Sequence, residues 1–191
     1  MGDKNISIGL FGFGCVGQGL YDVLNHSEGF RANISKICVK DKNKKRSIDA
    51  SYFTYDKNEI LKEGSNLNVI VELIDNSEEA FAIVKAAMNN GVSVVTANKK
   101  MLAEHFRELY KLQEKNNVAL IYEGSAGGSI PIIRNLEEYY DNELLSSVKG
   151  ILNGTCNYIL TRMELEKRDY TDVLEDAKSN GFAETDPWLD V

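Results

Sequence analysis

The sequence predicts an α/β fold wound around a parallel sheet. Three observations carry this: strand-like and helix-like segments alternate, the first apolar run stops on glycines that open a helix, and a later run is apolar almost throughout. Ile6 to Phe11 (ISIGLF) is the first strand. Cys15 to Asn25 follows with helical spacing that places Val16, Leu20, Val23 and Leu24 on one face. Ile34 to Val39 (ISKICV) alternates as a second strand. Val69 to Ile74 (VIVELI) is a third, apolar in the manner of a strand covered on both faces. Ser77 is the expected N-cap of a helix over Glu78 to Asn90, with Glu78 and Glu79 where the helix dipole favours acids and Gly91 as the C′ residue. Val92 to Thr96 (VSVVT) and Val118 to Tyr122 (VALIY) are further strands, separated by a charged amphipathic helix from Met101 to Asn116.

Two stretches break the rhythm. Asp41 to Asn68 is polar and reads as an irregular excursion with one short helix. Its Lys42, Lys44, Lys45 and Arg46 are read most simply as a solvated loop. The second break is the turn Gly124 to Gly128 (GSAGG), followed by a helix. Beyond it, Ser146 to Leu152 reads as a strand, and Cys156 to Lys167 and Asp172 to Asn180 as helices, so this tail has an unfinished sheet.

The composition bounds the function. A chain of 191 residues, 43% hydrophobic and 27% charged, is an ordinary globular protein, long enough for one domain and part of a second. Its 22 basic residues against 29 acidic ones leave a net charge of −7, which argues against a nucleic-acid surface. No apolar run approaches the roughly 18 residues of a membrane span, and the N-terminus lacks a secretory layout. Cys15, Cys38 and Cys156 are widely spaced and odd in number, so a disulfide framework is not expected and a cytoplasmic location is. Two histidines, His26 and His105, are too few for a His-rich metal site.

The chemistry concentrates at strand ends. Gly12, Phe13, Gly14, Cys15, Val16 and Gly17 form a GxGxxG at the first βα junction. Gly12 permits the tight turn, Gly14 lets a pyrophosphate approach the backbone, and Gly17 lets helix and strand pack closely. The expected architecture is therefore a Rossmann-type doubly wound sheet that binds a dinucleotide. Lys40 and Asp41 at the end of the second strand point in opposite directions: a base suits the 2′-phosphate of NADP, an acid the ribose of NAD. The basic cluster inclines the reading to NADP, although Lys40 also fits a solvent-facing strand terminus. Lys99, in Thr96-Ala97-Asn98-Lys99-Lys100, lies beyond a strand's carboxyl end, where ligands bind; a surface pair opening a helix fits the same residues. Glu123, beside the GSAGG turn, reads as a tight turn or as a carboxylate gathering carbonyls round a hard cation. Cys156 near a helix N-terminus admits a nucleophile reading, against which stands the lack of an adjacent base; a buried thiol is the simpler account.

Together the stretches GFGCVGQG, VVTANKK, YEGSAGGSIPIIR, GILNGTCNYILTRM and GFAETDPWLDV resemble homoserine dehydrogenase over nearly the whole chain. The resemblance implies NAD(P)H-dependent reduction of aspartate 4-semialdehyde to homoserine, in threonine and methionine biosynthesis, by a homodimer in the full-length enzyme. It implies that Phe13, Gly14, Cys15 and Val16 line the pyrophosphate loop, that Ser77 and Lys99 contact the cofactor, and that Gly181 approaches the nicotinamide. It further implies a sodium site at Glu123 with the carbonyls of Ala126, Gly128 and Ile130. Glu184 would bind the substrate's ammonium group, and Lys99 and Asp190 would belong to the catalytic region. Residues 1–145 would be the dinucleotide-binding domain and residues 146–191 the beginning of an α+β substrate domain. The family's motif runs on to an aspartate and a lysine, the principal proton donor, beyond Val191, so a fragment with little or no turnover is expected. The rival readings are a cysteine-dependent semialdehyde dehydrogenase using Cys156 and a non-catalytic nucleotide-sensing module.

Overall fold

A computed structural model describes residues 5–26, 28–29, 31–150, 153–180 and 182–183. The chain divides into two compact units, one running to Ile121 and the other starting at Tyr122.

The first unit is built on strands β1 (Ile6–Phe11), β2 (Ala32–Cys38), β3 (Phe53–Thr54), β4 (Val69–Glu72), β5 (Ser93–Thr96) and β6 (Leu120–Ile121). They form one sheet in the order β3-β2-β1-β4-β5-β6, every pair parallel. The chain leaves β1 toward β2 and β3, then returns to the opposite side of β1 with β4. That reversal opens a crevice beyond the carboxyl ends of β1 and β4, where doubly wound sheets bind their ligands.

Alternation along β1 separates its two faces. Ile8 and Leu10 join Ile34, Ile37 and Val71 in a buried cluster, against which Leu20, Tyr21 and Leu24 of α1 (Cys15–His26) pack. On the opposite face a Cβ at Gly9 would stand 2.7 Å from Ile60 and 2.8 Å from Ile70. The absent side chain therefore lets α2 (Asn58–Leu61) press its one buried residue, Ile60, onto the strand. The same face of the unit is extended by α3 (Ser77–Asn89), which touches β4 and β5 and packs on α4 (Lys99–Asn116). α3 buries Ala80, Ile83, Val84, Ala87 and Met88, and α4 buries Met101, Leu102 and Leu109.

Several local expectations need correction. Val16 and Val23 are exposed, at 62% and 49%; the inward stripe of α1 is Gly17, Leu20, Tyr21 and Leu24, because close approach at Gly17 turns that side of the helix to the sheet. Asn76, not Ser77, caps α3: its side chain accepts from the N–H of Glu79, and Ser77 is the first helical residue. The polar excursion contains a 3-10 turn (Ala50–Tyr52) and an edge strand, β3, whose two residues are too few to leave a periodic signal. Gly91 ends α3 as expected, with φ +72°.

In the second unit, a 3-10 turn (Glu123–Ser125) leads to α5 (Ile132–Glu138), then α6 (Gly154–Glu166) and α7 (Tyr170–Ser179). Ile159, Val173 and Ala177 are its buried centre. The strand expected over Ser146 to Leu152 is absent among the described residues 146–150, where no partner strand receives its backbone groups.

Candidate functional site

The three motif glycines play three different parts. Gly12 has φ +94°, and a Cβ there would collide with the Leu73 carbonyl oxygen. A Cβ at Gly17 would lie 2.6 Å from the Gly12 carbonyl oxygen. At Gly14 a Cβ would meet nothing within 4 Å. Two glycines are thus required by the protein's own backbone, whereas the third faces open space at the start of α1, where unpaired N–H groups and the helix dipole favour an anion. Phe13 is buried, edge-on to Tyr21 and Phe53, so only its backbone belongs to the loop surface. Cys15 and Val16 are exposed on the first turn of α1.

An open-sided cleft extends from Gly12 and Gly14 past Val39 to Lys40, Lys44, Arg46 and Lys57, with Ile74 and Glu79 also lining it. The basic cluster lies in a largely exposed loop, as sequence reasoning favoured, and two of its members, Lys44 and Arg46, also border the cleft. Arg46 is held by donating to the carbonyls of Lys44 and Asp41 at 2.9 and 2.7 Å, with its guanidinium 5.0 Å from the Phe53 ring centre. Lys40 pairs with Glu79. Asp41 turns its carboxylate to the N–H of Asn43 and does not line the cleft. Cys38 does, and burial pushes its thiol up from the ordinary value.

Across the crevice, the ends of β4 and β5 share a polar network that sequence reasoning missed. Glu72 is fully buried, accepting from the Thr96 hydroxyl at 2.6 Å and from the Ile74 N–H at 2.7 Å. Burial pushes its carboxyl above the usual range, opposed by those two hydrogen bonds. The Asn98 amide donates to the Ile74 carbonyl at 2.9 Å, while its oxygen caps α4 through the N–H of Met101. Lys99 follows as the first residue of α4, and Ser77, buried, as the first of α3. Both stand at the carboxyl edge of the sheet. The one signal for Glu72 was an acid inside an otherwise apolar strand.

In the second unit, Glu123 accepts from the N–H groups of Ile133 and Arg134 at 3.2 and 2.8 Å, anchoring the start of α5. Gly127 and Gly128 have φ of +71° and +61°, turning the backbone that carries the Ala126, Gly128 and Ile130 carbonyls. The Cys156 N–H donates to the capping side chain of Asn153 at 3.0 Å. Gly181, Glu184 and Asp190 lie outside the described residues.

The strand order and the open glycine turn define a Rossmann-type dinucleotide-binding protein. Residues 12–123 match the family model described as the NAD binding domain of homoserine dehydrogenase, and residues 131–191 match the homoserine dehydrogenase model. The chain belongs to the homoserine dehydrogenase family. It is 36% identical to the homoserine dehydrogenase of Bacillus subtilis, an alignment taking in 98% of this chain and 45% of that relative. The crystal structure of a homoserine dehydrogenase from Thiobacillus denitrificans matches with TM-score 0.84 at 31% identity, over 98% of this chain and 45% of that one. A hyperthermophilic archaeal homoserine dehydrogenase mutant in complex with NADPH matches with TM-score 0.74 at 28% identity, over 96% of this chain and 64% of that one. The chain thus spans about half the length of the curated relatives it matches. Among the described residues, no helix is long and apolar enough to cross a membrane.

Proposed function

We propose that this chain is the cofactor-binding portion of a homoserine dehydrogenase, serving the NAD(P)H-dependent reduction of aspartate 4-semialdehyde to homoserine. The observation that carries the reading is the glycine turn: Gly12 and Gly17 closed by backbone, Gly14 open, at the point where the strand order reverses. The functional division falls at 145/146, with residues 146–191 beginning the substrate domain. The compact units part earlier, because the chain after β6 adds no strand to the sheet among the described residues.

NADP is the favoured cofactor. Lys40, Lys44, Arg46 and Lys57 border one cleft, and a 2′-phosphate supplies the anion such a group recognises. The likeness to an archaeal relative in complex with NADPH supports the same choice. When bound, the nicotinamide supplies the hydride. The protein's work is to hold both reactants and deliver a proton to the developing alkoxide. Lys99 is the proton-transfer candidate within the chain; Asp190 is assigned a part in the catalytic chemistry and Glu184 the substrate's ammonium group. Ser77 and Gly181 are the further nicotinamide contacts. The sodium site at Glu123, Ala126, Gly128 and Ile130 fits in its donors: a carboxylate fixed by two N–H groups and carbonyls turned by two left-handed glycines, all hard oxygens. Self-association as a homodimer has candidate surface in Leu144, Leu160 and Leu165, exposed at 91%, 64% and 76%.

Titration with NADPH and NADH tests the reading directly, and binding of neither overturns it. Dinucleotide binding is expected, and homoserine oxidation by the same chain measures how far Lys99 serves as the general acid, a role worth on the order of 10²–10⁴ in rate. Near-normal turnover by the 191-residue chain would assign the proton donor to Lys99. Homoserine oxidation by the chain extended to the length of its relatives separates an enzyme from a nucleotide-sensing module. Cys156→Thr is expected to leave that activity intact; loss on this substitution would instead favour cysteine chemistry.

A further inference from the structure

Glu72 occupies the last residue of β4, in register with Phe11 of β1 on one side and Thr96 of β5 on the other. It is buried, yet among the described residues its hydrogen-bond partners are an N–H and a hydroxyl rather than a basic side chain; both of its oxygens are spent on groups that shape the crevice. The Ile74 N–H fixes the chain leaving β4, and Ile74 itself lines the cleft. The Thr96 hydroxyl donates to Glu72 and accepts from the Asn98 N–H at 3.1 Å. Asn98 closes the circuit by donating to the Ile74 carbonyl at 2.9 Å. A carboxylate without a countercharge is a costly way to fill a strand end, and an apolar side chain would satisfy the packing alone. What an apolar side chain cannot supply is one acceptor for each of two loops.

We infer that Glu72 is a positioning residue, which ties the turn before Ser77 to the turn before Lys99 and so sets the width of the nicotinamide end of the crevice without touching the cofactor. The inference rests on the nucleotide-binding reading above. Glu72→Gln keeps the shape but sets an N–H₂ opposite a donor, so either the Ile74 N–H loses its acceptor or the Thr96 hydroxyl must turn and leave its own proton unpaired.

The test uses ligands that differ only in the nicotinamide: NADPH against 2′-phospho-ADP-ribose, and NADH against ADP-ribose, titrated calorimetrically into the chain and into Glu72→Gln. The variant is expected to bind the dinucleotide about tenfold more weakly while binding the matching ribose compound within about twofold of wild type. Equal weakening of both members of a pair, or of neither, overturns the inference and leaves the nucleotide reading standing. A wild-type chain that binds none of the four overturns the nucleotide reading itself. Thr96→Val, which removes the hydroxyl at constant shape, should give the same split if Glu72→Gln does not fold, and equal effects on both ligands there would be just as damaging.

Discussion

At the β1–β2 end of the sheet's carboxyl edge, the polar groups stand toward solvent: Gly14 opens on empty space, and Lys40, Lys44, Arg46 and Lys57 border a cleft. At the β4–β5 end they are turned inward, with Glu72 and Thr96 buried and Asn98 linking the loops above them. The first arrangement suits recognition of anions, whose charge can be met by flexible, hydrated bases. The second suits alignment, because buried hydrogen bonds hold backbone to fractions of an ångström and are expensive to leave unmade. One end grips and the other aims.

Gly12 joins the two ends, since its Cα faces the Leu73 carbonyl just beyond β4. The largest effect is therefore expected from Gly12→Ala, where positive φ and a collision with backbone act together. A loss of about 3 kcal/mol in stability, read by denaturant unfolding, is expected along with dinucleotide binding. Next, the double substitution Lys44→Ala with Arg46→Ala should lower NADPH affinity by roughly 10- to 100-fold and leave NADH affinity nearly unchanged, by titration at fixed salt. Equal losses for both cofactors would erase the distinction between gripping and aiming.

Smaller effects sharpen the comparison from the buried side. Burial raises the Glu72 carboxyl above its ordinary 4.5, so the folded chain keeps a proton that the unfolded chain has released. Its contribution to stability is complete below that value and declines as pH rises through the raised pKa, by at most about 1.4 kcal/mol per pH unit. The stability of Glu72→Gln relative to wild type should therefore improve with rising pH across that interval, measured by unfolding at several pH values; a flat difference would mean the carboxyl titrates alike in both states. The smallest effect belongs to Lys40→Ala. Its side chain is 71% exposed beside Glu79, and such surface pairs contribute about 0.5 kcal/mol or less.

The exposed end was the more legible in the sequence. The glycine spacing, the strand before it and the helix after it are local signals, and all three appear at the expected positions. The convergence of Lys44, Arg46 and Lys57 was not legible, because it depends on where a loop folds back across β2. Glu72 was hidden for the same reason: its partner Thr96 is brought beside it by the pairing of β4 with β5, which no spacing in VIVELI announces. Helix registers were read well along the chain but less well around it. The inward stripe of α1 follows from contact at Gly17 rather than from its most apolar residues. In the tail, an apolar stretch near residue 148 resembled a strand, yet a strand exists only where a neighbour accepts its hydrogen bonds.

Gly9 has a consequence for how the chain can be shortened. Residues 41–68 look expendable, since they are polar and mostly exposed, and a protein engineer would trim them first. Yet Ile60, 1% exposed, fills the hollow that Gly9 leaves on β1, and the same stretch delivers Lys44, Arg46 and Lys57 to the cleft. Excision would strip the central strand of its cover and remove the cationic wall in one stroke, so length variation in this protein belongs elsewhere.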